Sequence, residues 1–329
     1  MLASATALLL LSGCRGAQSA LDIRGPAAER IAELWWWMLA AGAIVYLVLL
    51  ALVLYLLLRR RVNGSAGHSA DTRTAKRWIL AGGVLLPTIV LMPLFVASVN
   101  VLASLTGDTS SDLTIRVTGH QWWWQIRYDG EGTGANEIVA ANEIHIPVGR
   151  RVRVELEAAD VIHSLWIPNL HGKTDLIPGR MNVTWIEATQ PGTSRAQCAE
   201  YCGTQHALMS LPVVAETQAG FDEWLARERL PAPPPTDSVA RVGASLFVSA
   251  GCGSCHTIRG TTAGGTAGPD LTHLAGRRTI AAGALANTPA NLARWIADPQ
   301  GVKVGNKMPR TPLTSEQLTA IVAYLGALR

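Results

Sequence analysis

Two long stretches without a charged residue constrain this chain more than any other feature. Residues 34–58 form a run of 25 and residues 78–105 a run of 28. Each exceeds the ~20 residues that a helix needs to cross the hydrocarbon of a membrane. Pro87 and Pro93 lie in the second run, and membrane helices tolerate proline where neighbours satisfy the freed backbone. The sequence therefore predicts two transmembrane helices.

The connection between these stretches is strongly basic. Residues 59–77 contain six Lys or Arg against one Asp, and the positive-inside rule places such a segment in the cytoplasm. Both ends of the chain are then expected on the periplasmic face of a bacterial inner (cytoplasmic) membrane. Three tryptophans at positions 35–37 are typical of the aromatic belt at a membrane interface.

The N-terminus, MLASATALLLLSGC, combines an apolar run with small residues as a secretory signal does, but it lacks the usual positive start. Its ending, LSGC, resembles the bacterial lipobox. That resemblance implies removal of residues 1–13 and a lipid on Cys14. An ordinary signal peptide with a chance cysteine, or a misassigned start codon, is the alternative.

Beyond the membrane segment (14–105) the sequence changes character twice. Residues 106–229 contain short alternating runs, such as RVRVELEA and LPVVAET, which predict a β-sandwich. The stretch LPAPPPTDS at 230–238 predicts a semi-rigid, extended linker. Residues 239–329 show helical periodicity near both ends and a Gly-rich middle. The 329 residues are therefore expected to form several domains.

The segment CAEYCGTQHALM at 198–209 gathers soft metal ligands. Cys198 and Cys202 are followed by His206 and Met209, and His163 stands upstream at the end of an apolar run. A disulfide is the ordinary interpretation of two nearby cysteines in an oxidising compartment. The imidazoles and the thioether weigh against it, because thiolate, imidazole and thioether together suit copper. Two cysteines allow two coppers to share both thiolates.

Together with GHQWWW (119–124) and DVIHSLWIPNLHGKTDLIPGRMN (160–182), this loop resembles subunit II of cytochrome c oxidase over roughly residues 30–225. The resemblance implies a cupredoxin-like sandwich with a binuclear copper centre, CuA. Cys198 and Cys202 would bridge both coppers. His163 and Met209 would complete one copper, and His206 the other. The remaining histidines of this domain are expected to be structural: His120, His145 and His171.

Three further positions take their interpretation from the resemblance. The backbone carbonyl of Glu200 would complete the second copper, and its carboxylate would reach a Mg or Mn ion at the interface with subunit I. Trp122, the first aromatic after GHQ, would lie where electrons enter, although it could simply pack within its strand. Many members carry a glutamate three residues before the tryptophan that Trp78 matches. Ala75 occupies that position instead, so whether protons enter through this subunit is an open question.

The motif CGSCH at 252–256 predicts covalent attachment of haem c through Cys252 and Cys255, with His256 as the proximal ligand. Met308 is the only methionine after residue 209 and is the expected distal ligand; His273 is the alternative. The segment GPDL (268–271) resembles the cytochrome c segment whose proline carbonyl holds the proximal histidine. Residues 239–329 thus resemble an all-α class I cytochrome c domain.

The two resemblances together imply subunit II of a caa-type cytochrome c oxidase, an electron relay from an external donor through haem c and CuA to subunit I. Neither apolar stretch contains a histidine, so haem a, CuB and oxygen reduction would belong to that partner. Subunit III and a donor, either a cytochrome or a quinol–cytochrome c reductase, are the other expected partners. Nothing in the sequence calls for nucleic acid.

Three other classes share parts of the pattern. A copper-delivery protein of the thioredoxin fold carries Cys-x-x-x-Cys and a remote histidine, but it would lack His206, Met209 and the haem domain. A quinol oxidase subunit II keeps the fold and loses the copper ligands. The small subunit of a CuA-containing nitric oxide reductase is the alternative that this sequence separates poorly from the oxidase.

Opposite charges on the two extramembrane domains predict that they dock. Residues 108–229 carry ten Lys or Arg against sixteen Asp or Glu, a net charge of −6, whereas residues 239–329 carry nine against three, a net charge of +6. Opposite fields favour association. The linker spans at most ~30 Å when extended, which keeps the haem domain near the copper domain.

Overall fold

The computed structural model describes residues 16–63, 71–107, 109–129 and 137–329. The chain forms two compact units, of which one contains Glu29–Gly107 and the other contains the chain on both sides of it. Cys14, the predicted lipidation site, lies outside the described residues.

The unit Glu29–Gly107 consists of apolar helices. Helix α1 spans Pro26–Asn63, and the second apolar stretch forms α2 (Thr72–Leu80), a π-helical turn (Ala81–Leu85) and α3 (Leu86–Thr106). Pro87 lies in the first turn of α3 and has no N–H to donate; the wider π turn just before it accommodates this loss. Both helical stretches are long and apolar enough to cross a membrane, and the most apolar 18-residue window of each contains no buried residue. The chain is therefore membrane-anchored.

The copper-ligand candidates lie in a β-sandwich of two five-stranded sheets. One sheet has the order β3-β2-β1-β5-β8 and the other the order β4-β10-β9-β6-β7. The strands are β1 (Thr114–His120), β2 (Trp123–Tyr128), β3 (Ile138–Ala141), β4 (Ile144–Pro147), β5 (Val152–Ala158), β6 (His163–Trp166), β7 (Thr174–Leu176), β8 (Asn182–Ile186), β9 (Gly192–Cys198) and β10 (Ser210–Glu216). Alternating burial along β2 and β5 is what the alternating sequence predicts, because successive strand residues face opposite sides.

Helix α4 (Gln218–Glu228) closes the sandwich at the end of β10. The side chain of Thr217 caps its first turn. Phe221 and Trp224 of this helix are buried in the same core as the inward residues of both sheets. Tyr128 contacts Trp224 edge-on, with ring centroids 5.0 Å apart. The large aromatic side chains thus fill the end of the sandwich.

The C-terminal domain is mainly helical. Its helices are α5 (Ser238–Ser249), α6 (Pro289–Ala297), α7 (Pro299–Val302) and α8 (Ser315–Gly326). A capping box of Thr314 and Gln317 begins α8, and Phe247 of α5 meets Tyr324 of α8 with ring centroids 6.0 Å apart. The domain also contains a short hairpin of β11 (Thr279–Ile280) and β12 (Leu285–Ala286), which helical periodicity does not predict.

The linker 230–238 is irregular up to Asp237, whose side chain caps α5. It also lies against the C-terminal domain. The amide of Ala232 donates to the carbonyl of Arg259 at 2.9 Å, and His273 Nε2 lies 3.0 Å from the carbonyl oxygen of Leu230. The linker is therefore held by the domain that it leads into.

Candidate functional site

The sulfur and imidazole side chains of the copper-ligand prediction meet at one end of the sandwich. Cys198 ends β9, and Cys202 lies in the loop that leads to β10. Both are free thiols, with their Sγ atoms 3.7 Å apart. His163 Nδ1 lies 3.9 Å from the Cys198 sulfur. Around the Cys202 sulfur, His206 Nδ1 lies at 3.7 Å and Met209 Sδ at 3.8 Å.

Glu200 contributes to this site through its backbone. Its carbonyl oxygen lies 3.2 Å from Cys198 Sγ, so it faces the sulfur cluster. Its carboxylate points elsewhere and pairs with Lys173 Nζ at 3.3 Å. Lys173 also pairs with Asp175 at 2.9 Å. The backbone and side chain of Glu200 therefore serve two separate environments.

The two thiols titrate as a pair. The hydrogen bond with Cys202, followed by the contact with His163 and backbone donors, lowers the pKa of Cys198 far below that of a free thiol, against the opposing effect of burial. The hydrogen bond with Cys198 raises the pKa of Cys202, because a second negative charge at this distance is unfavourable. A metal cation would remove that repulsion, since it binds thiolates and displaces their protons.

Asp160 fixes the orientation of His163. Its Oδ1 lies 2.9 Å from His163 Nε2, which leaves Nδ1 directed at the sulfurs. The other carboxylate oxygen accepts a hydrogen bond from the Gln121 amide at 2.8 Å and pairs with Lys307 of the C-terminal domain at 3.5 Å. Burial raises the pKa of Asp160, but the bonds from His163 and the backbone amides outweigh it and lower the pKa overall.

A cavity of about 330 Å³ occupies the C-terminal domain, and its wall contains Cys252, Cys255, His256 and Met308. His256 Nδ1 lies 2.8 Å from the carbonyl oxygen of Pro269, which leaves Nε2 as the free ring nitrogen. Gly268 approaches this ring so closely that a Cβ there would lie 2.6 Å from His256 Cε1. The glycine in GPDL is therefore required for the histidine to occupy its place.

His273, the alternative distal ligand, faces a different part of the domain. Its Nε2 lies 3.0 Å from the carbonyl oxygen of Leu230 in the linker, whereas Met308 lies in the cavity wall. Of the two candidates, Met308 is the one that the structure brings to the cavity with His256.

Two families match this chain by sequence. Residues 131–218 match the periplasmic domain of cytochrome c oxidase subunit II, and residues 240–329 match cytochrome c. Residues 131–218 therefore belong to the cytochrome c oxidase subunit II family. The chain joins this subunit II domain to a C-terminal cytochrome c domain.

The relatives of this chain include two cytochrome c oxidase subunits 2. Cytochrome c oxidase subunit 2 of Alkalihalophilus pseudofirmus is 42% identical over 216 residues, which are 65% of this chain and 61% of the relative. That of Bacillus sp. strain PS3 is 34% identical over 229 residues, 66% of this chain and 62% of the relative. The matches thus span about three fifths of these relatives' length. The solved periplasmic domain of subunit II of cytochrome oxidase of Bradyrhizobium japonicum is 32% identical, with 36% of this chain and 95% of that domain covered and a TM-score of 0.34.

The donor sets of this chain fit the groups that the two families imply. The two cysteine sulfurs lie close together, and two imidazoles, a thioether and a carbonyl oxygen each lie within 3.9 Å of one of them. Such a set of ligands suits copper. The cavity wall contains two cysteines that could form thioether bonds, and a histidine and a methionine that could bind iron, a set that suits haem c. The chain therefore has sites that fit a copper centre and a haem c.

Trp122 lies between these two sites. It forms part of the cavity wall, and its indole Nε1 donates to the carbonyl oxygen of Cys202 at 3.0 Å. Gln121 donates to the same oxygen at 2.8 Å. One aromatic side chain thus contacts both the haem cavity and the copper loop.

The three histidines expected to be structural have other partners. His120 stacks on Trp123 with ring centroids 4.3 Å apart and forms part of the cavity wall. His145 lies 2.9 Å from Glu143 Oε1 and stacks on Trp224 at 4.2 Å. His171 meets Trp185 edge-on, with ring centroids 5.0 Å apart. Burial lowers the pKa of His120 and of His171.

Sequence reasoning missed three residues of this region: Gln121, Asp160 and Lys303. Asp160 carried a usable signal, because it precedes His163 by three residues and metal-binding histidines commonly donate their other nitrogen to a carboxylate. Gln121 and Lys303 had none. Their partners are backbone carbonyls that only the folded chain brings within reach.

Proposed function

We propose that this chain is the electron-transfer subunit of a haem-copper terminal oxidase. It would take electrons from an external cytochrome or a quinol–cytochrome c reductase and pass them through haem c and a binuclear copper centre to subunit I, where oxygen is reduced. Subunit III would belong to the same complex. When bound, the two groups supply one-electron chemistry, and the chain's own residues hold and space them.

The observation that carries this proposal is the position of Trp122. Its indole contacts the carbonyl of Cys202 at 3.0 Å and lines the haem cavity, so the two redox sites are separated by little more than one side chain. A relay is the function that such an arrangement serves.

For the copper centre we propose that Cys198 and Cys202 bridge two coppers. His163 and Met209 would complete one of them. His206 and the Glu200 carbonyl would complete the other. His163 and Cys198 lie at strand ends and Met209 directly precedes β10, and these fixed positions would keep the rearrangement of the site small when an electron arrives.

For the haem we propose thioether bonds from Cys252 and Cys255. His256 would be the proximal ligand and Met308 the distal one. The bond from His256 Nδ1 to Pro269 supports this role, because it fixes the ring and directs Nε2 towards the cavity.

The Glu200 carboxylate is proposed to reach a Mg or Mn ion at the interface with subunit I. It is partly exposed and pairs with Lys173, so the ion would have to compete with that lysine.

The two domains and the N-terminal end are proposed to face the periplasm, because the basic segment 59–77 favours the cytoplasm.

Flash-induced reduction of haem c tests the relay. In the intact complex, reduction of the copper centre should follow at a rate that does not change when the protein is diluted, because donor and acceptor belong to one chain. Trp122→Phe, which removes the bond to Cys202, should slow this step more than Trp123→Phe. A rate that falls on dilution excludes the intramolecular route. Turnover with nitric oxide but not oxygen would assign the subunit to a nitric oxide reductase.

A further inference from the structure

Lys303 is a lysine with almost no contact with solvent. Only 2% of its surface is exposed. Its ammonium donates to three backbone carbonyls: those of Trp122 at 2.9 Å, Leu208 at 2.9 Å and Ala281 at 3.1 Å. An ammonium has three N–H donors, so each of them has a partner.

These three carbonyls come from both domains. Trp122 and Leu208 belong to the sandwich, and Leu208 lies between the copper-ligand candidates His206 and Met209. Ala281 belongs to the turn between β11 and β12 of the cytochrome domain. Lys303 therefore joins the loop that carries the copper ligands to the domain that carries the haem cavity.

The β11–β12 turn is built to reach the copper loop. Ala281 and Ala282 have φ angles of 53° and 56°, a left-handed conformation that alanine adopts at a cost. The Ala282 carbonyl accepts a hydrogen bond of 3.0 Å from the amide of Ser210, the residue that follows Met209. Gly283 has a φ of 80°, and a Cβ there would clash with Ser210 Oγ, so this approach favours glycine.

An apolar side chain would ordinarily be the favourable choice at such a buried position. Burying an ammonium is costly unless it is fully hydrogen-bonded, and a single missing partner leaves a desolvated charge. The arrangement of three acceptors around Lys303 exists only while the two domains are docked, because two of the acceptors belong to one domain and one to the other. A neighbouring bond, from Gln205 Nε2 to the Val304 carbonyl at 2.8 Å, crosses the same junction.

We propose that Lys303 is a positioning residue that fastens the cytochrome domain to the copper loop and so holds Trp122 between the two redox sites. The proposal rests on the proposed function for its consequence, because faster electron transfer is what the fastening would provide. The fastening itself is a structural property and has its own measurement.

Hydrogen exchange of the full-length, haem- and copper-loaded chain tests the fastening directly. Three variants are compared: Lys303→Met, Lys303→Gln and, as a charge-matched control, Arg294→Met on the exposed side of α6. Segments 205–212 and 277–284 should exchange at least about tenfold faster in Lys303→Met, because the carbonyls around Lys303 lose a buried hydrogen-bond donor. The control should leave both segments at the wild-type rate.

The order of the two lysine variants separates hydrogen bonding from packing. Methionine resembles the lysine stem in shape but donates nothing, whereas glutamine is shorter and keeps two donors. Fastening through hydrogen bonds predicts faster exchange in Lys303→Met than in Lys303→Gln. The reverse order would assign the effect to packing and overturn the proposal, as would exchange in Lys303→Met equal to that of Arg294→Met. Lys303→Gln also provides the comparison with the control if Lys303→Met does not fold.

Electron transfer supplies the second readout. In the wild type, the haem-to-copper step should depend little on viscosity and salt, because the domains are already docked. In Lys303→Met it should become slower and should depend on both, since docking then relies on long-range charge, which salt screens. Accelerated exchange without haem-to-copper transfer in any chain would leave the fastening in place and remove the proposed function.

Discussion

Replacing Asp160 with asparagine should weaken copper binding, because the Asp160 carboxylate orients His163. The change keeps the size of the side chain but exchanges one carboxylate oxygen for an amide that donates. In the wild type, Oδ1 meets His163 Nε2 at 2.9 Å and the Val161 amide at 2.8 Å, and Oδ2 meets the Gln121 amide at 2.8 Å. One asparagine oxygen can serve the first oxygen's partners but not the second's.

The magnitude follows from the bonds that are lost. A hydrogen bond to a charged group contributes about 1.5–3 kcal/mol, and the Gln121 amide would lose one and face a second donor. The ion pair with Lys307, whose side chain is 70% exposed, adds at most about 1 kcal/mol. Loss of the carboxylate behind a metal-binding histidine typically weakens the metal by about 10–100-fold. We therefore expect Asp160→Asn to release copper at about 10–100-fold lower chelator concentration.

The assay is chelator competition, followed by the absorbance of the copper centre and by copper content. Asp222→Asn, on the exposed side of α4, makes the same substitution on the same domain without contact with a ligand candidate, and should behave as the wild type. If Asp160→Asn and Asp222→Asn release copper at the same chelator concentration, the argument that Asp160 supports His163 is wrong.

Three further predictions concern the copper centre, a titrating cluster and the N-terminus. The wild-type chain should bind two coppers and be purple, and Cys198→Ser should lose this centre. Met209→Leu should keep copper but change its reduction potential, because a thioether is a weak ligand. Metal analysis and optical spectra test these outcomes, and one copper with an ordinary blue spectrum would refute the assignment. Burial lowers the pKa of His145, but hydrogen bonds with Glu143 and Glu216 raise it overall. Stability from this histidine should therefore be complete below its ordinary pKa of ~6.5 and be lost as pH rises through the raised value. Thermal unfolding at several pH values should show this decline, and His145→Gln should flatten it. Mass spectrometry should find a diacylglyceryl group on Cys14, and a mature chain without it would contradict the lipobox interpretation.

The parts of the fold that the sequence predicts are those that depend on local patterns. The uncharged runs predict the membrane helices, and the alternation in RVRVELEA predicts β5, because burial on one face is encoded in neighbouring residues. The ligand spacing in CAEYCGTQHALM depends on one loop, and the structure brings its side chains together. These features need no knowledge of how distant segments meet.

Other features depend on the tertiary structure and left no signal in the sequence. No local sequence pattern marks Lys303, because the carbonyls that surround it come from the β11–β12 turn and the copper loop and reach it only in the folded chain. The linker has the composition of a free spacer, yet its backbone bonds to Arg259. The hairpin β11–β12 interrupts a domain of helical character, because two-residue strands are too short for a periodic pattern to reveal.

Charge and hydrogen bonding act at different ranges in bringing the two extramembrane domains together. Net charges of −6 and +6 create opposite fields that act over about a Debye length, ~10 Å at 0.1 M salt, and they orient the domains without fixing them. The contacts at the junction are of another kind. Lys303 meets three carbonyls, and Ser210 donates to Ala282, both in places where salt has little access. The charged contact, Lys307 with Asp160 at 3.5 Å, lies at the exposed edge, where salt should have only a small effect while the buried bonds are in place. A relay needs both effects, because the fields make docking frequent and the buried bonds hold Trp122 against the copper loop once docking has occurred.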